Sequence, residues 1–196
     1  MSSKLDFPNR KFNLIYCDSP WSYHLYRPQF SYKGDVPSPL RTAASFYKTM
    51  TINEICSLPV RSIAANNCAL FLWATNPTLD DAFKVIRAWG FEFKTVAFYW
   101  TKKCKYSNNL KIGMGHYTRP SCEPLLLAMN GTLKVLDHSI RQVVVTTIEQ
   151  HSKKPAIFRD LIIRLFGDLP KIELFAREEA EGWSSWGDEL HSPNSD

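Results

Sequence analysis

The sequence of 196 residues lacks any run approaching the ~18 consecutive apolar residues that a membrane-spanning helix requires. Met1 to Arg10 also lacks the apolar stretch and small-residue cleavage pattern of a secretory signal. Both absences point to a cytoplasmic protein. Cysteine is scarce and poorly placed for cross-linking. Cys17, Cys56, Cys68, Cys104 and Cys122 form an odd, scattered set without a Cys-x-x-Cys, which excludes a disulfide framework and a zinc ribbon and leaves reduced thiols, mostly in the core. No metal-ligand spacing, internal repeat or low-complexity tract occurs, so no metal is expected. Acids are missing from Thr101 to Pro120, which holds five basic residues, and Lys and Arg are missing from Glu178 to Asp196, which holds six acids. The net charge of +5 is the remainder of this polarised distribution.

What is present suffices for a folded core. Hydrophobic residues make up 44% of the chain and aromatics 13%, and a chain of this size buries roughly 70% of its unfolded surface. One domain over residues 1–196 is expected. Phe12 to Cys17 (FNLIYC) reads as a buried strand that ends at Asp18. Thr51-Ile-Asn-Glu54 matches a capping box and predicts a short helix ending near Pro59. Cys68 to Thr75 (CALFLWAT) reads as a second buried strand. Asn76-Pro77 then offers an N-cap and first-turn proline for a helix with Leu79, Phe83, Ile86 and Trp89 at helical spacing, closed by Gly90. Phe93 to Thr101 has strand composition and completes a strand-helix-strand unit. Further strands are expected at Pro124 to Met129 and Gln142 to Thr147. Lys154-Pro155 opens a helix through Phe158, Leu161, Ile162 and Leu165 to Gly167, and Lys171 to Phe175 (KIELF) is the last strand before a polar, acidic tail. Between Ser22 and Lys48, three prolines and Gly34 break regular structure while Tyr23, Tyr26, Phe30, Tyr32, Phe46 and Tyr47 mark a loop that packs or stacks. Strands alternating with helices imply an α/β sheet covered on both faces, with a ligand crevice outside the carboxyl ends of the strands.

Two such ends carry polar residues: Asp18-Ser-Pro-Trp21 and Ala176-Arg177. As a bare tetrapeptide, Asp-Ser-Pro-Trp is an ordinary turn composition. It also places an acid beside the Ser19 carbonyl, which Pro20 confines to an extended orientation. Two adjacent acceptors can grip both hydrogens of an exocyclic base amine. They would pull the nitrogen towards tetrahedral geometry as it attacks an electrophile, which is transition-state stabilisation by preorganised polar groups. Trp21 offers a surface on which an extruded base can stack.

IYCDSPW resembles the Asp-Pro-Pro-Trp signature of the MT-A70 family of adenine-N6 methyltransferases, which use S-adenosyl-L-methionine. The segments LFLWATNP, AWGFEFKTVAFYWTK, GHYTRPSCEPLLLAMNG, HSKKP, KIELFARE and GWSSWGDE follow that family's order from about residue 12 to 190. The resemblance implies a Rossmann-like methyltransferase fold: a mixed, mostly parallel sheet with helices on both faces and the catalytic motif ahead of the cofactor-binding strand. It implies that Asp18, Ser19, Pro20 and Trp21 hold the target adenine. It further implies that Asp18, Lys154 and Arg177 contact the cofactor, with Phe175 lining its pocket. Asp188 and Glu189 stand where relatives often carry amides that touch the cofactor; carboxylates there can accept from ribose hydroxyls. The motif departs from the family at Ser19, which replaces a proline. Larger members read the cofactor's adenine with a polar segment well upstream of the motif. Only seventeen residues precede Asp18 here, so that recognition is expected around Asp6 to Arg10 or elsewhere.

The stretch from Thr101 to Pro120 interleaves Lys102, Lys103, Lys105, Lys111 and Arg119 with Tyr106, His116 and Tyr117, and Gly113-Met-Gly115 lets its backbone bend. Positive charge neutralises phosphates and aromatics stack on unpaired bases. Nucleic acid is therefore the expected partner, contacted by Trp21, Tyr23, Lys102, Lys103, His116 and Arg119. DNA is put ahead of RNA because the chain looks like the small bacterial or phage members. The competing reading is a catalytically silent member that serves as the nucleic-acid-binding subunit of a methyltransferase heterodimer; a homodimer is the other expected assembly.

Overall fold

The computed structural model describes residues 6–22, 49–113, 115, 117–147 and 153–191. Ten regular elements follow in order: β1 (Phe12–Cys17), α1 (Ile52–Cys56), β2 (Ala64–Trp73), α2 (Leu79–Ala88), β3 (Glu92–Lys103), β4 (Cys122–Asn130), β5 (Val143–Thr147), α3 (Ile157–Phe166), β6 (Lys171–Leu174) and β7 (Ser184–Trp186). Apart from Ser22, the aromatic loop expected up to Lys48 lies outside the described residues.

The strands form one sheet in the order β5-β3-β4-β2-β1-β6-β7. Neighbours are parallel except at β4, which is antiparallel to both β2 and β3. The expected strand-helix-strand unit is present as β2, α2 and β3, with β4 inserted between its two strands. Because β4 runs against the rest, its first residues lie at the end of the sheet where the other strands finish. The chain passes from β1 to β2 on one side and returns to β6 on the other. The carboxyl end of β1 against β6 is thus a topological switch point, where open α/β sheets bind ligands.

Apolar runs become central strands because both of their faces are covered. Ile15 and Cys17 of β1 join a core with Ala82, Val85 and Ile86 of α2, whereas Leu14 and Tyr16 join a second core with Phe158, Leu161 and Ile162 of α3. The Thr51 capping box forms: the Thr51 amide donates to Glu54 Oε2 at 2.7 Å and the Glu54 amide donates to Thr51 Oγ1 at 3.3 Å. The N-cap of α2 is Thr78, not Asn76, and Thr75 caps the turn before it. A single 3-10 turn over Asn76–Thr78 comes first, and the Thr75 amide donates to Thr78 Oγ1 at 2.9 Å.

Three differences from expectation bear on the sheet edges and the site. β2 begins at Ala64 because Phe12 pairs with Ala64 and Asn13 Nδ2 donates to the Asn67 carbonyl at 2.8 Å; exposed Asn66 and Asn67 hide this start from an apolar-run reading. β3 continues to Lys103, since Lys102 and Lys103 pair with Thr146 and Thr147 of β5. Part of the supposed polar tail is strand β7, paired in parallel with β6 and anchored by buried Trp183. No helix among the described residues is long and apolar enough to cross a membrane.

Phe158 is fully buried against the rings of Trp73, Phe98 and Trp100, at centroid distances of 4.9, 5.8 and 6.5 Å. Phe158→Ala should cost about 3–5 kcal/mol, the range for deleting a buried phenyl group. Urea unfolding followed by tryptophan fluorescence measures it.

Candidate active site

The first strand delivers Asp18 at the switch point, and the next three residues form a fixed turn. The Trp21 amide donates to the Ser19 carbonyl at 2.8 Å, closing a three-residue turn centred on Pro20, whose ring holds φ near −65°. One lone pair of the Ser19 carbonyl is used there and the second is left for a donor. The Pro20 carbonyl accepts from the Met50 amide at 2.9 Å. Ser19, the departure from the family's proline, is 3% exposed, and its Oγ lies 3.3 Å from Cys17 Sγ. Burial pushes the Cys17 thiol far above its ordinary value. Trp21 is 4% exposed, and its indole N–H donates to the Trp73 carbonyl at 3.1 Å. It locks the turn onto β2, and in this conformation little of its ring is open to a stacking base.

An alternating chain of charge runs across the site. Lys154 Nζ lies 3.0 Å from Asp18 Oδ2 and 3.3 Å from Glu123 Oε2, and Lys102 Nζ pairs with Glu123 Oε1. The two ammonium groups also sit over rings, Lys154 5.2 Å from the Trp73 centroid and Lys102 4.6 Å from that of Trp100. Burial alone would depress Lys154, but Asp18 and Glu123 outweigh it and hold the ammonium above its ordinary value. Burial alone would raise Glu123, yet Lys154 and then Lys102 outweigh it and hold the carboxyl below its ordinary value. Lys154 and Glu123 therefore both carry their charge at neutral pH. Beneath it, Trp73 Nε1 donates to Tyr16 Oη at 2.7 Å, and Arg159 Nε donates to Glu173 Oε2 at 2.7 Å.

The cofactor-side residues of the expectation lie after β6. Phe175 is half-buried and has φ +58°, a left-handed conformation that costs a non-glycine residue on the order of 1–3 kcal/mol. Gly187, directly after β7, is packed against it: a Cβ there would stand 2.5 Å from the Ala176 carbonyl oxygen and 2.8 Å from its nitrogen. Arg177 and Asp188 are exposed. Glu189 belongs to a short 3-10 turn over Asp188–His191, and its side chain is outside the described residues. A cavity of about 450 Å³ adjoins this corner, lined among others by Glu179, Trp183, Ser185, Trp186 and Leu190.

The expected basic loop divides in two. Lys102 is turned inward on β3 and bound to Glu123, so it belongs to the charge chain and does not project as a phosphate contact. Lys103 is half-buried beside it, while Lys105, Lys111 and Arg119 are exposed. Arg119 Nη1 donates to the Gly115 carbonyl at 2.9 Å. Tyr106 and Tyr117 are 91% and 94% exposed. Tyr23 and His116 lie outside the described residues. The structure brings Asp18, Ser19 and Lys154 together and adds Glu123 and Trp73, which sequence reasoning did not name. The signal for Glu123 was available as a lone acid opening the apolar run CEPLLLAM.

A mixed α/β sheet of Rossmann-like form thus carries the acid-Ser-Pro-Trp turn and a buried lysine at its switch point. The chain belongs to the MT-A70 family, whose model matches residues 12–189. It is 34% identical over 195 residues to the type II methyltransferase M.MunI of Mycoplasma sp, covering 93% of this chain and 79% of that protein. It is 30% identical over 193 residues to an N6-methyladenosine RNA methyltransferase of Pyricularia oryzae, covering 91% and 47%. With the human N(6)-adenosine-methyltransferase catalytic subunit it shares 24% over 184 residues, covering 92% and 28%. The chain thus spans less than half the length of these two eukaryotic relatives.

Glu123→Gln should destabilise the fold by about 3 kcal/mol, because Lys154 and Lys102 each lose a buried partner. The sign with pH follows from the two shifts. The stabilisation from Glu123 is complete above its ordinary value of 4.5 and is lost as pH falls through its lower folded value. That from Lys154 is complete below 10.5 and is lost as pH rises through its higher folded value. Urea titrations at neutral and strongly acidic pH should show the gap between the native chain and Glu123→Gln closing on the acid side.

Proposed function

We propose that this chain transfers a methyl group from S-adenosyl-L-methionine to the N6 amine of adenine in nucleic acid, with DNA ahead of RNA. The observation that carries the reading is the Asp18 carboxylate beside the Ser19 carbonyl at the β1/β6 switch point, with the Lys154 ammonium 3.0 Å from the acid. The residues present suit the cofactor. Lys154 would hold its carboxylate, Asp18 and Glu123 its ammonium, and Phe175 would face its nucleoside. When bound, it supplies an electrophilic methyl on a sulfonium.

The protein's own contribution is to position the amine. Asp18 and the Ser19 carbonyl accept its two N–H groups and orient the nitrogen lone pair for in-line attack. One carbon–nitrogen bond forms as one carbon–sulfur bond breaks, and the nitrogen then loses a proton. Lys154, itself gripped by Glu123, holds Asp18 in place. The hydrogen bond from the Trp21 amide to the Ser19 carbonyl restrains the turn at the position where the family carries a proline. Exposed Tyr106 and Tyr117, with Lys105, Lys111 and Arg119, provide stacking surface and phosphate charge on a hairpin extending from β3. DNA is placed first because the chain covers 79% of the type II methyltransferase, against 47% and 28% of the relatives named for RNA or adenosine.

Asp18→Ala should lower methyl transfer about 10²–10³-fold, the cost of removing one preorganised polar group, while the variant stays folded. Ser19→Pro should stay within a few-fold of the native rate. Both are measured with labelled cofactor on adenine-containing DNA and RNA oligonucleotides, single-stranded and duplex, with the modified base identified after digestion. Absence of transfer to adenine in every substrate by the folded native chain overturns the reading.

A further inference from the structure

Past β3 the backbone doubles back on itself. The chain turns over residues 105–109 and returns along the strand it has just left: the Cys104 amide donates to the Asn109 carbonyl at 2.9 Å, Leu110 bridges to Lys103, and the Lys111 amide donates to the Lys102 carbonyl at 2.8 Å. A second loop then leads into β4. It is braced by the Gly113 amide on the Pro120 carbonyl at 2.8 Å and by Gly115, where a Cβ would stand 2.0 Å from the Thr118 carbonyl oxygen.

The return arm carries two apolar side chains that the core does not use. Leu110 and Ile112, two residues apart in paired backbone, share a face of the arm, and they are 46% and 68% exposed. Phosphate charge accounts for Lys105, Lys111 and Arg119 around them, and stacking accounts for Tyr106. Neither role suits a branched aliphatic side chain. Proteins that deform a duplex use such residues as wedges, inserted between base steps.

Position places the arm beside the acceptors. The Lys102 amide donates to the Ser121 carbonyl while the Lys102 carbonyl accepts from Lys111, so the arm lies on the side of β3 that β4 occupies. From β4 to β1 is two strands, roughly 10 Å at about 4.8 Å per strand. The major groove of DNA is about 12 Å wide. A base swung out of a duplex to Asp18 therefore leaves its gap within reach of Ile112.

We infer that Ile112, with Leu110 beside it, is a wedge that fills the stack of a DNA duplex when the target adenine is extruded to Asp18; this rests on the methyltransferase reading above and adds that the substrate is double-stranded. Extrusion costs most from paired DNA and least from a single strand, so a wedge serves only a duplex. Charge favours this occupant over a second copy of the chain. The stretch from Thr101 to Pro120 holds five basic residues and no acid, which draws a polyanion and repels its own like.

Initial rates of labelled methyl transfer to linear plasmid DNA, to the same DNA heat-denatured and rapidly cooled, and to its RNA transcript test this without knowledge of the recognition sequence. Ile112→Ala should lower kcat/KM on the duplex about tenfold and leave the denatured DNA within about twofold, because only the duplex needs its stack refilled. Ile112→Leu should restore the duplex rate, and Ile112→Ser should not. The duplex-to-denatured ratio is read on one preparation, so a loss of folded protein, which lowers both rates alike, does not imitate the effect. A ratio unchanged by Ile112→Ala overturns the wedge and leaves the methyltransferase reading intact, as does a native chain that methylates only denatured DNA or RNA. Light scattering reads the competing occupant: a native dimer that Ile112→Ala turns into monomers assigns the face to a second copy and overturns the wedge. A folded native chain that methylates adenine in none of the three substrates overturns both the inference and the reading beneath it.

Discussion

The site depends on keeping one lysine charged where water barely reaches it. The Lys154 side chain is 11% exposed, and an ammonium at that depth would shed its proton unless carboxylates and donors replaced its hydration. Asp18 and Glu123 make that replacement, and each is supplied by a different part of the fold. Asp18 is the natural product of a parallel strand ending at the crevice. Glu123 is there only because β4 runs antiparallel, which brings the start of that strand to the end where β1 finishes. Lys154 arrives from the segment ahead of α3, and its height over the sheet is set by the Trp73 ring beneath it and by Phe158, which packs edge-on to that ring. Strand direction, helix packing and site charge are therefore one constraint.

Much of this architecture is legible in the residues, and the failures have physical causes. FNLIYC and KIELF announce buried strands because both of their faces meet apolar neighbours, and Thr51 with Glu54 announces a helix start through local hydrogen bonds alone. The direction of β4 has no such local signature. LLLAM is equally suited to a parallel or antiparallel neighbour, so the inserted strand, and with it the position of Glu123, is decided by pairing with residues far away in sequence. β7 escaped notice for a related reason. Ser-Ser-Trp is too short and polar to show a period, and its place follows from the edge of β6 and from the burial of Trp183. Lys102 read as part of a basic stretch facing nucleic acid because its neighbours in sequence are basic and aromatic; its pairing with Glu123 is a tertiary fact.

The motif turn is defined by hydrogen bonds that do not involve the Ser19 side chain. The Trp21 amide on the Ser19 carbonyl, the Met50 amide on the Pro20 carbonyl and the indole N–H on the Trp73 carbonyl restrain it. Buried hydrogen bonds of this kind are costly to leave unmade, so the turn has few alternatives. The same contacts explain why Trp21 is largely enclosed: its ring secures the turn that presents the acceptors.

Cys17 adds a consequence for chemical durability. A thiol one residue before the candidate catalytic acid would be a liability if it ionised, because thiolates are the species that oxidants and alkylating agents attack. Its complete burial first, and then the negative charge of Asp18, outweigh the opposing contact with Ser19 and leave it a protonated, packed group. The strand that carries the candidate chemistry is thereby insulated from the redox state of its surroundings, with no disulfide or metal needed to shield it.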